Sequence, residues 1–119
     1  MPRSKMNRKV CWMPEITLFE TRGDNAGHLK EIVVSVEEYE TIRLIDLEGM
    51  TQEQCAERMK VARTTVQRIY NDARKKIAEY FVMGQSLKIE GGSYQICDED
   101  ERLNGCGKSC RNRHGLDNK

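Results

Sequence analysis

The chain is poor in the residues that build large apolar cores and covalent frameworks. Its 119 residues include two Pro, one Trp, two Phe and four Tyr, and aromatics make up only 6%. That leaves room for one domain with a small core and modest stability. No segment approaches the roughly 18 consecutive apolar residues of a membrane helix. The opening "MPRSKMNRK" has charge but no apolar stretch behind it. This is not the pattern of a signal peptide, and a cytoplasmic protein is expected. The five Cys (Cys11, Cys55, Cys97, Cys106 and Cys110) are an odd number and contain no Cys-x-x-Cys pair. In a reducing compartment they are expected as thiols or metal ligands, not as a disulfide framework. A nucleophile–base pair on a recognisable turn and a phosphate-cradling loop are also missing, because Gly91-Gly92 reads as a turn. The carboxylates of Glu37, Glu38 and Glu40 are expected on an exposed helical face. No enzymatic activity is expected from this set.

Net charge is also small, at +1, but the charges are unevenly distributed. From Ser35 to Gly49 there are five acidic residues against one Arg, and from Met50 to Glu79 seven basic against four acidic. A near-neutral total that conceals a basic segment is compatible with nucleic-acid binding.

The apolar pattern predicts a mainly α fold. "VCWMPEITLFE" reads as an extended, edge-type segment around Pro14, and "LKEIVVS" as a second short one. Ser35 with Glu38 forms a capping box. Val36, Tyr39, Ile42, Leu44, Ile45 and Leu47 then make one apolar stripe, which ends at Gly49. Thr51 with Gln54 repeats the box and opens a short helix whose inward face is Cys55, Ala56 and Met59. After "KVA" a longer helix runs from Arg63 to about Phe81, with Val66, Ile69, Tyr70, Ala73, Ile77, Ala78 and Phe81 spaced to face inward. Gly84 closes it. "SLKIEGGSYQIC" reads as two short strands in a hairpin about Gly91-Gly92. The expected fold is therefore a three-helix helix-turn-helix core with short flanking β-strands and a Cys-containing C-terminal tail. Residues 1–96 form the DNA-binding domain with its basic arm, and residues 97–119 the tail.

A short helix, a tight turn and a long basic helix suit the major groove of a DNA duplex. That groove is about 12 Å wide and admits one α-helix, whose N-terminal turns meet base edges. Since Val66 and Ile69 face inward, Arg63, Thr64, Thr65, Gln67 and Arg68 are left outward. Arg suits guanine, Gln suits adenine, and Thr offers a hydroxyl and a methyl. Arg74, Lys75 and Lys76 would lie near phosphates and supply salt-sensitive affinity. Double-stranded DNA is thus the expected partner, and a homodimer would match inverted half-sites.

"TQEQCAERMKVARTTVQRIYNDARKKIAE" resembles region 4 of bacterial sigma factors. More extensively, "MPRSKMNRKVCWMPEITLF", "EEYETIRLIDLEGMTQEQCAERMKVARTTVQRIYNDARKKIAEY" and "LKIEGG" resemble uncharacterised protein family 0251, also called domain of unknown function 134. The likeness covers about residues 1–92. It implies a DNA-binding protein whose base contacts come from Arg63, Thr64, Thr65, Gln67 and Arg68. Thr51 and Gln52 would touch the DNA backbone. The family's turn usually carries Gly-Val-Ser, where this chain has Lys60, Val61 and Ala62. The resemblance therefore implies a left-handed Lys60, which could itself contact a phosphate, and a third helix without a capping hydroxyl.

The tail holds Cys97, Cys106, Cys110 and His114, the ligand types of a Cys₃His zinc site; an iron–sulfur cluster could use the same thiolates. The alternative function is accordingly a metal-binding or protein-interaction adaptor that binds a partner such as RNA polymerase.

Overall fold

The structure, a computed structural model, describes residues 8–22 and 30–103. It is mainly helical with two small sheets. In chain order the elements are β1 (Lys9–Val10), β2 (Leu18–Phe19), β3 (Ile32–Val34), α1 (Val36–Thr41), α2 (Gln52–Met59), α3 (Arg63–Met83), β4 (Leu87–Ile89), β5 (Gln95–Ile96) and α4 (Glu99–Leu103). The chain continues from α1 through Ile42–Leu47 with wider, π-helical winding, in which the Glu48 N–H bonds the Arg43 carbonyl at 2.9 Å.

Both capping boxes form as the sequence predicts. The Glu38 N–H donates to Ser35 Oγ while the Ser35 N–H donates to the Glu38 carboxylate. Gln54 and Thr51 make the same reciprocal pair. Each box satisfies two of the backbone donors that a helix start leaves without partners.

The strands pair differently from the sequence expectation. β4 and β5 do not form a hairpin. β4 lies between β2, to which it runs antiparallel, and β3, to which it runs parallel. β5 pairs in parallel with β1, matching Lys9 to Gln95 and Val10 to Ile96. The glycines turn the chain around α1 instead of reversing it. The Gly91 carbonyl accepts from the Val36 N–H at 3.0 Å. Gly92 adopts a φ of +112°, and a Cβ there would stand 2.0 Å from Glu37 Oε1. Only glycine lets that carboxylate come close enough to receive the Ser93 N–H.

Two apolar clusters hold the elements. Val10, Ile32, Val34, Val36, Leu87 and Ile89 form one, covered by Tyr39, Ile77 and Tyr80. Leu44, Cys55, Ala56, Met59 and Val66 form the other. The burial of Cys55 pushes its thiol up to about 12, with nearby Glu40 adding to the effect. It behaves as a small apolar residue.

Four helical positions depart from the expected stripes. Leu47, Ala78 and Phe81 are exposed, Leu47 and Phe81 at 67% and 82%, whereas Arg43 is buried. The wide winding after Thr41 takes Leu47 out of phase with the stripe.

Glu37, Glu38 and Glu40 are not on an exposed face; all three are buried. Glu37 receives Arg8 at 2.9 Å and the Ser93 N–H at 3.1 Å. Glu38 receives Lys76 at 2.9 Å. Glu40 accepts Arg43 Nε and Nη2 at 3.0 and 2.9 Å and the Cys11 N–H at 3.1 Å. Charge at that depth is tolerable only when it is paired and hydrogen-bonded in this way.

Candidate nucleic-acid interface

The junction of α2 and α3 sets the angle of the long helix. Lys60 ends α2 with φ 63° and ψ 42°. It is the only non-glycine residue with positive φ among the described residues. The Val61 N–H bonds the Ala56 carbonyl at 3.0 Å and the Lys60 N–H bonds the Glu57 carbonyl at 3.3 Å. This double bond pattern is the Schellman closure, and Val61 adds the accompanying apolar contact by packing on the Cys55–Met59 cluster. Ala62 then starts α3 with no side-chain cap. Lys60→Gly should therefore stabilise the fold by about 1 kcal/mol through relief of the left-handed strain. Ala62→Ser should add about 1 kcal/mol by supplying the missing acceptor. Urea denaturation of each variant, read as a midpoint shift at constant m, checks both values.

On α3, Val66, Ile69, Tyr70 and Ala73 point into the protein. Arg63, Thr64, Gln67 and Arg68 are exposed, while Thr65 is half-buried at the flank. Thr64, Gln67, Arg68, Asn71 and Asp72 line one shallow groove along the helix. Asn71 and Asp72 were missed by the sequence reading. The signal was available, since Asn71 follows Gln67 by four residues and Thr64 by seven, on one helical face.

The remaining candidates are less uniform. Thr51 and Lys60 are exposed and Gln52 is half-buried at the start of α2. Lys75 is exposed and on the same side as Arg68, seven residues or about two turns further along. Lys76, expected near phosphates, instead donates to Glu38 at 2.9 and 3.1 Å. Arg74 leans to the flank, with its guanidinium 5.3 Å from the centre of the Tyr70 ring. Tyr70 in turn donates to Asp46 at 2.7 Å.

The sulfur residues separate into two groups. Cys11 and Cys97 are buried together beside Trp12. Cys55 and Cys97 are free thiols. Burial raises the Cys97 thiol above its ordinary value. Cys106, Cys110 and His114, the other three expected metal ligands, lie outside the described residues. Among the described residues, no group of three or more His, Cys, Asp or Glu is placed to hold a metal ion. The chain through α4 stays against the helical body. Arg58 donates to the Glu101 carbonyl, Arg102 Nε donates to the Cys11 carbonyl at 3.0 Å, and the Arg102 guanidinium stacks 3.6 Å from the centre of the Trp12 ring. Among the described residues, no helix is long and apolar enough to cross a membrane.

Comparison with known proteins places these features in a wider group. The family described as "Protein of unknown function DUF134" matches residues 1–97. A UPF0251 protein of Desulfitobacterium hafniense (strain Y51) is 56% identical over 113 residues, covering 95% of this chain and 89% of its own. A UPF0251 protein of Thermoanaerobacter pseudethanolicus is 46% identical over 115 residues, covering 97% and 95% respectively. One of Moorella thermoacetica is 43% identical over 107 residues, covering 90% and 72%. No solved structure matches.

Proposed function

The chain belongs to the DUF134 family, and we propose that it is a sequence-specific double-stranded DNA-binding protein acting as a transcriptional regulator. In this reading α2 and α3 form a helix-turn-helix and the N-terminal turns of α3 enter the major groove. One observation carries it. The N-terminal half of α3 presents a continuous row of exposed hydrogen-bonding side chains, Thr64, Gln67, Arg68 and Asn71, while its other face is anchored by Val66, Ile69 and Tyr70.

The chemistry of the row suits base edges. Arg68 and Arg63 carry the planar donor fork that pairs with guanine O6 and N7, while Gln67 and Asn71 can each bond adenine N6 and N7. Asp72, in the same groove, can accept from cytosine N4 and repels phosphate, which favours one register over its neighbours. Lys60 and Lys75 supply point charges for the DNA backbone, as do the hydroxyl of Thr51 and the amide of Gln52.

The test is selection of bound duplexes from a random pool at fixed salt, followed by titration of the winner against a scrambled duplex. A recovered consensus, with affinity falling steeply as salt rises, is the expected result. A pool that returns no consensus would refute specific recognition.

A further inference from the structure

The parallel pairing of β1 with β5 brings two cysteines together from distant parts of the chain. The strands match as far as Val10 and Ile96, and the Cys97 N–H donates to the Val10 carbonyl at 2.8 Å. The next residue on each side is a cysteine, Cys11 and Cys97. Register partners on parallel strands stand about 4.8 Å apart and share a face of the sheet. Both side chains are buried, at 2% and 4% exposure, in one cluster beside Trp12. Among the described residues that cluster holds no aliphatic side chain, so the two sulfurs are not filler in an apolar core. Burial raises the Cys97 thiol, with Arg58 and Lys9 pulling it back and Glu101 and Glu40 adding to the rise. A divalent cation reverses that balance, because it holds a coordinated thiol deprotonated.

The path of the chain brings further thiols within reach. After Cys97, α4 folds back over the N-terminal strand, where Arg102 Nε donates to the Cys11 carbonyl at 3.0 Å and the guanidinium covers Trp12. The end of α4 therefore lies beside Cys11. Cys106 follows Leu103 by three residues and Cys110 follows it by seven, leashes of at most about 11 Å and about 25 Å. Both lie outside the described residues, and their reach follows from chain length alone.

We infer that Cys11, Cys97, Cys106 and Cys110 form a four-thiolate site for a single tetrahedral divalent ion of the zinc class. Zinc–sulfur bonds of ~2.3 Å set the sulfurs about 3.8 Å apart, a spacing that two side chains from adjacent strands can meet. The ligand set differs from the one that the tail suggests by itself, since Cys11 takes the place of His114. The ion then ties the first strand to the chain beyond α4, and order at both ends is linked to metal. The site does not depend on the DNA reading.

Titration of the full chain with cobalt(II) under reductant, followed by displacement with zinc, tests the inference. The expected result is a single ion per chain with the charge-transfer and ligand-field bands of tetrahedral cobalt bound by sulfur alone. Cys55→Ala and His114→Ala should leave that spectrum unchanged. The chain has five cysteines, so an all-sulfur site that survives Cys55→Ala requires Cys11, whatever other variants do to folding. Cys11→Ser should weaken zinc by at least about a hundredfold, because even the loss of an outer-shell partner costs about 10–100-fold. A chain that binds no cobalt would overturn the inference, as would a mixed sulfur–nitrogen spectrum abolished by His114→Ala. Iron with inorganic sulfide in the purified protein would also overturn it, as would metal-free protein whose Cys11 is alkylated only after a disulfide is reduced. DNA is absent from every arm, so failure here would leave the duplex-selection result standing, and failure there would leave this one.

Discussion

Replacing Arg68 by Ala should lower affinity for the selected duplex by about 1–3 kcal/mol and broaden the bases accepted at one position. Arg68 lies in the groove that Thr64, Gln67 and Asn71 share, with its side chain in solvent. Its loss removes a bidentate donor without disturbing the Val66–Tyr70 anchor, so the fold should melt as before. Lys75→Ala provides the contrast. A backbone contact carries no sequence information, so its loss should weaken every duplex alike and reduce the salt slope by about 1. Fluorescence anisotropy against the consensus and a scrambled duplex, at several salt concentrations, separates the two. If both variants lose the same affinity on both duplexes, α3 does not read bases.

Glu40→Ala should be the most damaging single change to stability, at about 3–5 kcal/mol. Glu40 is only 1% exposed and its carboxylate bonds Arg43 and the Cys11 backbone N–H. Removing it takes from the buried guanidinium of Arg43 the carboxylate that receives two of its N–H groups, while Glu48 stands farther off at 3.5 Å. It also strips the bond that ties the chain after β1 to α1. Since domains of this size are stable by only about 5–15 kcal/mol, much of the margin should go. Guanidinium denaturation measures it. A loss under about 1 kcal/mol would show that the interior pair is better hydrated than its burial implies.

What could be read from the sequence, and what could not, follows the distance over which each feature is decided. The caps at Ser35 and Thr51, the uncapped Ala62 and the closing Gly84 depend on residues within one helical turn, and each forms as the sequence indicates, while the left-handed Lys60 forms as the family resemblance implies. The inward row Val66, Ile69, Tyr70 and Ala73 follows from helical period alone. The fate of Glu37, Glu38 and Glu40 is decided elsewhere in the chain. Their partners Arg8, Ser93, Lys76 and the Cys11 N–H come from other elements, and a local reading sees only an acidic helix start. Strand pairing is nonlocal for the same reason, so a local reading pairs β5 with its neighbour β4 and not with β1. Asn71 lies beyond the first two turns of α3, where helix-turn-helix base contacts concentrate, although helical period already places it on the face of Thr64 and Gln67.

The parallel match of Val10 with Ile96 also bears on how the molecule comes into being. The first strand waits for nearly the last, and β3 likewise waits for β4. Helices α2 and α3 can assemble early from neighbours in sequence, whereas both sheets require large loops to close, a slow step for a chain of this length. During synthesis on the ribosome, the apolar side of α1 and the strand edges stay uncovered until residues past Ile96 emerge. Truncation before β4 should therefore yield a collapsed, aggregation-prone fragment, not a smaller version of the domain.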